Sequence, residues 1–411
     1  MSNDIYIVGV GMIKFGKFLD RSVKDMTGLV LEDVLKNSDL TRDDIQAAWF
    51  SNCMWGLYSF QHCVRGQVAL TSNGLQGVPV TNVENACASG STALNGAWTS
   101  IKAGLYDCAL AIGVEKIHDE DRAKVMGSFV AGTDVEGMGQ RGAQTREQEA
   151  KEEEKTEGQQ QESPGGHTVF MDFYAAGARG HMERYGSTQR QLAAIAAKNH
   201  NNSTMNSLAQ YTFPQTVEQV LNDYVVSYPL TRAMCAPIGD GAAAAIICSE
   251  EFLKKHPSNR AIKIRASILE GAGQSGAGSI SDRAVKRAFE AAALGPEDID
   301  VMEVHDATAF GEITAMESFG FCPRGEGGVI AERGDTALDG KIPVNPSGGL
   351  ISRGHPIGAS GLAQIYELVT QLRGEAGKRQ VKNHRIAMTE NGGGTTRVGE
   401  AALTSHILEK V

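Results

Sequence analysis

The spacing of apolar residues changes repeatedly along this chain of 411 residues. Strand-length apolar runs at 5–9 and 262–268 are each followed by a segment whose apolar residues recur at helical spacing, at 27–36 and 283–293. Strands that alternate with helices are typical of a mainly parallel sheet with both faces covered. The pattern therefore predicts an α/β protein.

This order of elements occurs twice. Three segments have similar counterparts later in the chain, in the same order: LTRDDIQAAWFSN (40–52) and LGPEDIDVMEVHD (294–306), CASGSTAL (87–94) and GASGLAQI (358–365), CALAIGVE (108–115) and HRIAMTEN (384–391). Each half reads as an opening strand, a helix, a second strand, a helix that begins at Ala-Ser-Gly, and a further apolar strand. We therefore predict two similar α/β/α halves.

The two helices that begin at Ala-Ser-Gly, here called the ASG helices, have the clearest periodicity. Their apolar residues at helical spacing are Leu94, Ala97, Trp98 and Ile101 in the first, and Leu362, Ile365, Tyr366 and Val369 in the second. We place the first half at 1–117 and 228–255, an inserted loop domain at 118–227, and the second half at 256–411. Within the insertion, 146–166 is polar and charge-dense, which is typical of an exposed excursion or a solvated helix.

Composition narrows the classes of function. A hydrophobic content of 41% with 11 prolines is ample for buried cores, so the protein is expected to be globular. The net charge of −10 argues against a general nucleic-acid binder. The first residues do not resemble a secretory signal, and no segment reaches the roughly eighteen apolar residues of a membrane span. We therefore expect a cytoplasmic protein without a membrane partner.

Two cofactor classes are disfavoured by the sequence. The 7 cysteines (53, 63, 87, 108, 235, 248 and 322) have no CxxC spacing, so we expect reduced thiols, with neither a disulfide framework nor a metal site. The amino-terminal IVGVGMIKFG carries Lys14 where a GxGxxG motif has its third glycine. No nicotinamide cofactor is expected.

Cys87 stands at the predicted start of the first ASG helix, among small residues that leave room for a substrate carbonyl. Unpaired backbone N–H groups and the helix dipole lower a thiol pKa at such a position, which favours a nucleophile. The alternative is a buried structural cysteine. Gly358 occupies the corresponding position in the second half, so this position does not require a thiol for packing.

His355 lies in SRGHPIG, just before the second ASG helix. If the two halves pack with pseudo-symmetry, both ASG helices begin near one centre, and His355 can accept the Cys87 thiol proton. The alternative is a solvated loop histidine. His305 ends an apolar strand, where functional residues of parallel sheets emerge, although a strand-end histidine can also cap a neighbouring carbonyl.

The sequence ENGGG (390–394) ends another apolar strand. Its glycine N–H groups can approach a tetrahedral oxyanion without obstruction, although a tight turn would also account for the glycines. Two further segments, 51–56 and 61–70, are candidates for an acyl pocket or a dimer interface, and the sequence does not separate these alternatives.

Four motifs together resemble those of the thiolase superfamily: NACASGSTAL, HDATAFGE, NPSGGLISRGHPIGASG and ENGGG. The His-Asp that begins the second motif, and the segment 178–203, resemble the sterol-carrier-protein-type branch. The resemblance covers nearly the whole chain apart from 146–166. It implies a duplicated α/β fold, with two α/β/α halves that contain mixed, mainly parallel five-stranded sheets, and an inserted loop domain.

The resemblance also implies roles for the site residues. Cys87 would be the nucleophile, His355 its base, and His305 the residue that polarises the thioester oxygen, while the N–H groups of Cys87 and Gly392 would form an oxyanion hole. Coenzyme A would be a co-substrate without any tightly bound cofactor, and the protein would be a homodimer or tetramer.

One departure from the family pattern concerns proton transfer. Classical thiolases have a second cysteine at the position of Glu390, and the sterol-carrier branch often has one at the position of Ala307; neither cysteine is present. Glu390, His305 or a held water remain as candidates for the acid and base. Glu390 would need a pKa raised by burial for this work, and it can equally be a structural hydrogen-bond acceptor.

The resemblance implies a degradative thiolase that cleaves a 3-oxoacyl-CoA with CoA through an acyl-cysteine. Members without the second cysteine resemble subunits that act on branched or aromatic acyl-CoAs, such as benzoylsuccinyl-CoA, and that pair with a small OB-fold, zinc-ribbon protein. Two alternatives stay open: a thiolase-like aldolase acting on a CoA-ester side chain, and a non-catalytic acyl-CoA-binding subunit.

Overall fold

The computed structural model describes residues 4–137, 167–273 and 278–411. The polar segment 146–166 therefore lies outside the described residues. The strands are β1 (Ile5–Met12), β2 (Ala47–Ser51), β3 (Val80–Val83), β4 (Cys108–Glu115), β5 (Val225–Ser227), β6 (Leu230–Thr231), β7 (Gly241–Ser249), β8 (Ile262–Gly271), β9 (Val301–Glu303), β10 (Ile386–Thr396) and β11 (Gly399–Lys410).

Helices occupy most of the connections between these strands. They are α1 (Val23–Ser38), α2 (Trp55–Ser59), α3 (Arg65–Thr71), α4 (Ser89–Lys102), α5 (Arg122–Ser128), α6 (Val169–Tyr185), α7 (Gln189–Ser203), α8 (Val217–Leu221), α9 (Glu250–Lys255), α10 (Ile280–Ala292), α11 (Ala309–Ser318), α12 (Gly327–Arg333), α13 (Gly349–Arg353) and α14 (Ser360–Arg373). The two ASG helices are α4 and α14. None of the helices in the described ranges has the length and apolarity needed to span a bilayer.

Nine strands form one continuous mixed sheet, in the order β3-β2-β4-β7-β1-β8-β11-β10-β9. The first half contributes five strands and the second half four described strands, joined where Tyr6 and Ile7 pair with Lys263 and Ile262. In the second half, a single β-bridge between Met302 and Val344 takes the place that the β2–β3 pair has in the first half. The predicted α/β architecture with two related halves is confirmed.

The prediction of mainly parallel strands is wrong. β2 is parallel to β3 and β4, and β9 is parallel to β10, whereas the other five neighbouring pairs are antiparallel. The reason is local for β10 and β11, because a tight turn joins them directly and a short hairpin can only be antiparallel. β7 adds two further antiparallel pairs, because it lies between β1 and β4 and runs antiparallel to both.

The two ASG helices share one core between the halves. Leu94, Ala97 and Ile101 of α4 belong to the same buried cluster as Leu362 and Ile365 of α14. The outer face of the first half is covered by α1 and α3, and that of the second half by α10 and α11. Both faces of the sheet are therefore covered, as the alternation of elements predicted.

Gly358 lies at a close contact between the backbones of the two halves. Its carbonyl oxygen accepts a hydrogen bond of 2.7 Å from Ser51 Oγ, and its N–H donates to Glu115 Oε2 at 3.0 Å. A Cβ at Gly113 of β4 would overlap this carbonyl oxygen, and one at Gly90 of α4 would lie 2.9 Å from it. Backbone contact at this position requires glycine on the facing elements and fixes the start of α14 against the first half.

Gly113→Ala is expected to destabilise the fold by about 1–3 kcal/mol, because the added methyl group must displace the backbone of the opposite half. The free energy of urea-induced unfolding measures this effect. Gly127→Ala is the matched control, since a Cβ there meets no atom within 4 Å. Equal unfolding midpoints for the two variants would show that the fold accommodates a methyl group at position 113 beside the Gly358 carbonyl without loss of stability.

Candidate active site

Cys87 lies in the turn between β3 and α4, two residues before the helix begins. The preceding residue, Ala86, has φ +46°, a left-handed conformation that costs a residue with a Cβ about 1 kcal/mol. Ser89 holds the turn: its Oγ donates to the Ala86 carbonyl oxygen at 2.6 Å and accepts from the Asn85 N–H at 2.7 Å. The strained turn directs the Cys87 thiol away from the helix and into a cavity.

His355 lies against this thiol. Its Nε2 is 3.1 Å from Cys87 Sγ, and its Nδ1 is 2.6 Å from Ser360 Oγ. The Ser360 hydroxyl donates to the Pro356 carbonyl oxygen at 3.0 Å, so it accepts a proton from Nδ1. This chain of hydrogen bonds favours the Nδ1–H tautomer and leaves the Nε2 lone pair directed at the thiol. The predicted proximity of Cys87 and His355 is present in the structure.

His305 follows β9, and its ring centroid is 5.4 Å from that of His355. Burial lowers the pKa of His305 to about 4, so its imidazole is neutral at physiological pH. Its Nε2 is buried and makes no hydrogen bond within the described residues. The next residue, Asp306, supports the loop, since its carboxylate accepts from the Leu350 N–H at 2.6 Å.

Donor atoms of Cys87, His305 and His355 lie within 4.8 Å of one another. Thiolate and imidazole are also ligand types for Zn²⁺ in proteins. The expectation that the site works without a metal stays a prediction.

Glu390 lies on β10 beside His305. Its Oε2 accepts a hydrogen bond of 2.8 Å from the His305 N–H, and burial raises its pKa to about 7. The hydrogen bond fits the structural alternative, and the raised pKa fits an acid that works near neutrality. Gly392 follows two residues later, where a Cβ would overlap the Glu400 carboxyl. Its role in an oxyanion hole stays a prediction.

A cavity of about 610 Å³ connects these groups. It contains the side chains of Cys87, His305, His355 and Glu390, and its apolar wall includes Phe129, Phe170, Phe173, Tyr174 and Phe310. Residues of the segments 51–56 and 61–70, among them Met54 and Arg65, also line it. Both segments therefore line the cavity of the site, and their part in an acyl pocket or a dimer interface stays a prediction.

Comparison with known protein families determines the family of this chain. The family model described as thiolase, N-terminal domain, matches residues 5–223, and the one described as thiolase C-terminal domain-like matches residues 277–408. The acetyl-CoA acetyltransferase of Methanothermobacter thermautotrophicus is 39% identical over 403 residues, which cover 95% of this chain and 97% of that protein. The chain belongs to the thiolase family.

Two further similarities refine this placement. The benzoylsuccinyl-CoA thiolase subunit BbsB of Thauera aromatica is 33% identical to this thiolase, over 97% of this chain and 96% of that one. The solved structure of an Ltp2-ChsH2(DUF35) aldolase has a TM-score of 0.76 at 18% identity, covering 99% of this chain and 97% of that one, and shows the shared fold. With its relatives, this thiolase is an acyltransferase.

The pKa of the Cys87 thiol differs from the sequence-based expectation. Burial, with smaller contributions from the Glu400 and Glu115 carboxyls, raises this pKa to about 12, so desolvation outweighs the backbone N–H contribution. Burial also places the pKa of His355 well below its usual range. At neutral pH the pair of this thiolase is therefore a neutral thiol and a neutral imidazole.

Iodoacetamide alkylation is expected to be slow at Cys87 near neutral pH and to rise about tenfold per pH unit between pH 7 and 10, because the thiolate fraction grows in that proportion below the thiol pKa. Peptide mass spectrometry compares its rate with that of the exposed Cys63. A plateau for Cys87 below pH 9 would contradict the buried-thiol description. Slow alkylation would then reflect burial of the Cys87 thiol, so this rate alone does not separate an enzyme from a non-catalytic subunit.

Two residues of the site were not predicted from the sequence. Ser360 is the serine of the second Ala-Ser-Gly, and its position five residues after His355 was the available signal. Glu400 lines the cavity from β11, and burial and the neighbouring Glu390 hold its pKa well above the usual range. No local motif marks Glu400, because only the β10–β11 hairpin brings it over Gly392.

Proposed function

We propose that this thiolase cleaves a 3-oxoacyl-CoA with coenzyme A through an acyl-cysteine on Cys87. The Cys87 thiol proton passes to His355 Nε2 as sulfur attacks the 3-oxo carbon. The bond between the α-carbon and the 3-oxo carbon breaks, and a shorter acyl-CoA leaves as its enolate and is protonated. CoA then attacks the acyl-cysteine, and His355 returns the proton to Cys87.

The observation that carries this proposal is the 3.1 Å contact between Cys87 Sγ and His355 Nε2, with Ser360 holding the opposite ring nitrogen. A base within hydrogen-bond reach of a nucleophile, oriented by a third group, is the arrangement of covalent acyl transfer. Polarisation of the thioester oxygen, where negative charge develops, is assigned to the neutral His305, whose buried Nε2 has no partner within the described residues. The Cys87 and Gly392 N–H groups are assigned to the oxyanion of the tetrahedral intermediate.

The cavity supports a bulky acyl group. Five aromatic rings line it, and its volume of about 610 Å³ exceeds what an acetyl group needs. Aromatic walls favour apolar and aromatic ligands through area burial and edge-to-face contacts. We therefore assign the chain to degradation of aromatic or branched acyl-CoAs, of which benzoylsuccinyl-CoA is the example given by the similarity to BbsB.

The same comparisons support a second subunit. BbsB is a subunit of its thiolase, and the solved aldolase of similar fold includes a DUF35 component. We propose a homodimeric or tetrameric core in the cytoplasm, with a small OB-fold, zinc-ribbon subunit as a second component. Purified chain alone would then turn over weakly, and the added subunit would restore the rate.

A panel of CoA esters tests the function. Acetoacetyl-CoA and 3-oxo-3-phenylpropionyl-CoA are each incubated with the protein, with and without CoA. The mass of the peptide that contains Cys87 is then measured by mass spectrometry. We expect an acetyl or benzoyl adduct on Cys87 that disappears when CoA is added, with the aromatic substrate cleaved faster. CoA-independent cleavage of 3-hydroxy-3-phenylpropionyl-CoA to benzaldehyde and acetyl-CoA, without an adduct, would instead identify the aldolase alternative, and binding of all these esters without cleavage the non-catalytic one.

A further inference from the structure

The carboxyls of Glu390 and Glu400 are neighbours in the cavity. Residues 390 and 392 lie on the same face of β10, because side chains alternate along a strand. The position that a side chain at Gly392 would fill is occupied by the Glu400 carboxyl, which reaches it from β11. Both carboxyls therefore lie on the cavity wall that also holds His305, near enough for the charge of Glu390 to raise the pKa of Glu400.

Neither carboxyl is neutralised by a cation. Within the described residues, no lysine or arginine forms an ion pair with Glu390 or Glu400. Arg65 lines the same cavity, but its Nη1 donates to Asn52 Oδ1 at 3.2 Å and to the Cys53 carbonyl oxygen at 3.3 Å. Two adjacent carboxylates in a low-dielectric cavity cannot both ionise readily, so such pairs retain one proton.

The hydrogen bonds around Glu390 leave one oxygen for that proton. Its Oε2 accepts a hydrogen bond from the His305 N–H, and no hydrogen bond to Oε1 is found within the described residues. Oε1 is free to carry a proton toward the cavity, where Cys87 and His355 hold the reacting acyl group. The remaining charged or titratable groups that line the cavity are Cys53, Cys87, His62, His305, His355, Arg65, Glu84 and Tyr174.

We propose that Glu390 and Glu400 share a single proton, and that Glu390 passes it to the α-carbon of the leaving enolate. Glu400 is a positioning residue: its carboxylate keeps the proton on the pair at neutral pH. The proposal rests on the proposed thiolase function and supplies the proton-transfer group for which the sequence offers no second cysteine.

The proton balance closes over the two half-reactions. In the first, the C–C bond breaks, its electron pair goes to the α-carbon, and the shared proton forms the new C–H bond, which leaves both carboxyls ionised. In the second, the CoA thiol gives its proton to the pair as its sulfur attacks the acyl-cysteine. Cys87 leaves as a thiolate and recovers its own proton from His355. No oxidant or metal is needed.

Glu400→Gln tests the pair through a pH profile. We expect kcat/KM for acetoacetyl-CoA cleavage to fall about tenfold at pH 8, and its alkaline limb to move to lower pH by about one unit, because Glu390 alone loses its proton more readily. Glu400→Asp, which keeps the carboxyl, is expected to retain the wild-type limb. Glu409→Gln, at the far end of β11, removes the same charge outside the cavity and serves as the control.

A second measurement separates this proposal from the thiolase function. Deuterium exchange at the α-carbon of acetyl-CoA in D₂O is followed by mass spectrometry in Cys87→Ala and in Cys87→Ala/Glu400→Gln, neither of which forms an acyl-cysteine. Exchange about tenfold slower in the double variant supports the pair. If exchange is equally fast in both variants or absent, or if the alkaline limb does not move in Glu400→Gln, the shared proton is ruled out, even when wild-type protein forms the Cys87 adduct. If wild-type protein forms no adduct on Cys87, the thiolase function itself is ruled out.

Discussion

Cys87→Ala is expected to lower kcat by about 10⁴-fold or more and to abolish the covalent acyl adduct, because the variant lacks the sulfur that carries the acyl group in the proposed mechanism. The loss should be in kcat, with little change in the affinity for acyl-CoA, since the aromatic wall of the cavity is left intact. Stopped assays of 3-oxoacyl-CoA consumption, together with intact-protein mass spectrometry, measure both quantities.

Cys322→Ser is the matched control for this variant. Cys322 is a partly buried free thiol packed against the core of the second half, and it does not line the cavity. Its replacement should leave both turnover and the adduct on Cys87 unchanged. Turnover of Cys87→Ala within tenfold of wild type would rule out the acyl-cysteine route.

Much of the fold followed from periodicity and repetition. The similarity of CASGSTAL to GASGLAQI predicted that two helices begin near one centre, and the structure packs α4 against α14 in a shared core. That single inference also placed His355 beside Cys87, although 268 positions separate the two residues in sequence. A repeat carries long-range information because related segments fold into related positions.

Strand direction was harder to derive. The alternation of apolar runs and helices indicated parallel pairing, but it does not record where a strand enters the sheet. β7 follows the inserted region and lies between β1 and β4, which makes both of its pairings antiparallel. Strand direction depends on such tertiary placement, and no local pattern in the apolar run 241–249 indicates it.

The electrostatics of the site also depend on tertiary structure. A cysteine near a helix start suggests a lowered thiol pKa, yet in the folded chain the cavity walls remove Cys87 from water, and the carboxyls of Glu400 and Glu115 lie near it. Glu115 comes from β4 and Glu400 from β11, so neither belongs to the motif that contains the thiol. Burial by distant segments therefore reversed the direction of a shift that the local sequence predicted.

His355→Gln is expected to lower kcat/KM by about 10³-fold, because the amide can donate or accept a hydrogen bond but cannot take the Cys87 proton. Burial keeps the pKa of His355 well below its usual range. The imidazole therefore remains neutral at pH 6, and the wild-type profile should show no acid limb from its protonation between pH 6 and 8. Single-turnover measurements of acyl-cysteine formation report the affected step.

Ser360→Ala tests how much the orientation of His355 contributes when the imidazole itself is retained. Without the hydroxyl, Nδ1 of His355 loses its partner at 2.6 Å, and the ring can adopt the tautomer whose Nε2–H faces the thiol. We expect acylation to slow about tenfold, a smaller loss than for His355→Gln, because the base is retained and only its tautomer is no longer fixed. In the His355→Gln background, Ser360→Ala should cause almost no further loss of acylation rate, because the effects of residues that act as a unit are not additive. A full tenfold further loss in the double variant would show that Ser360 acts independently of the imidazole.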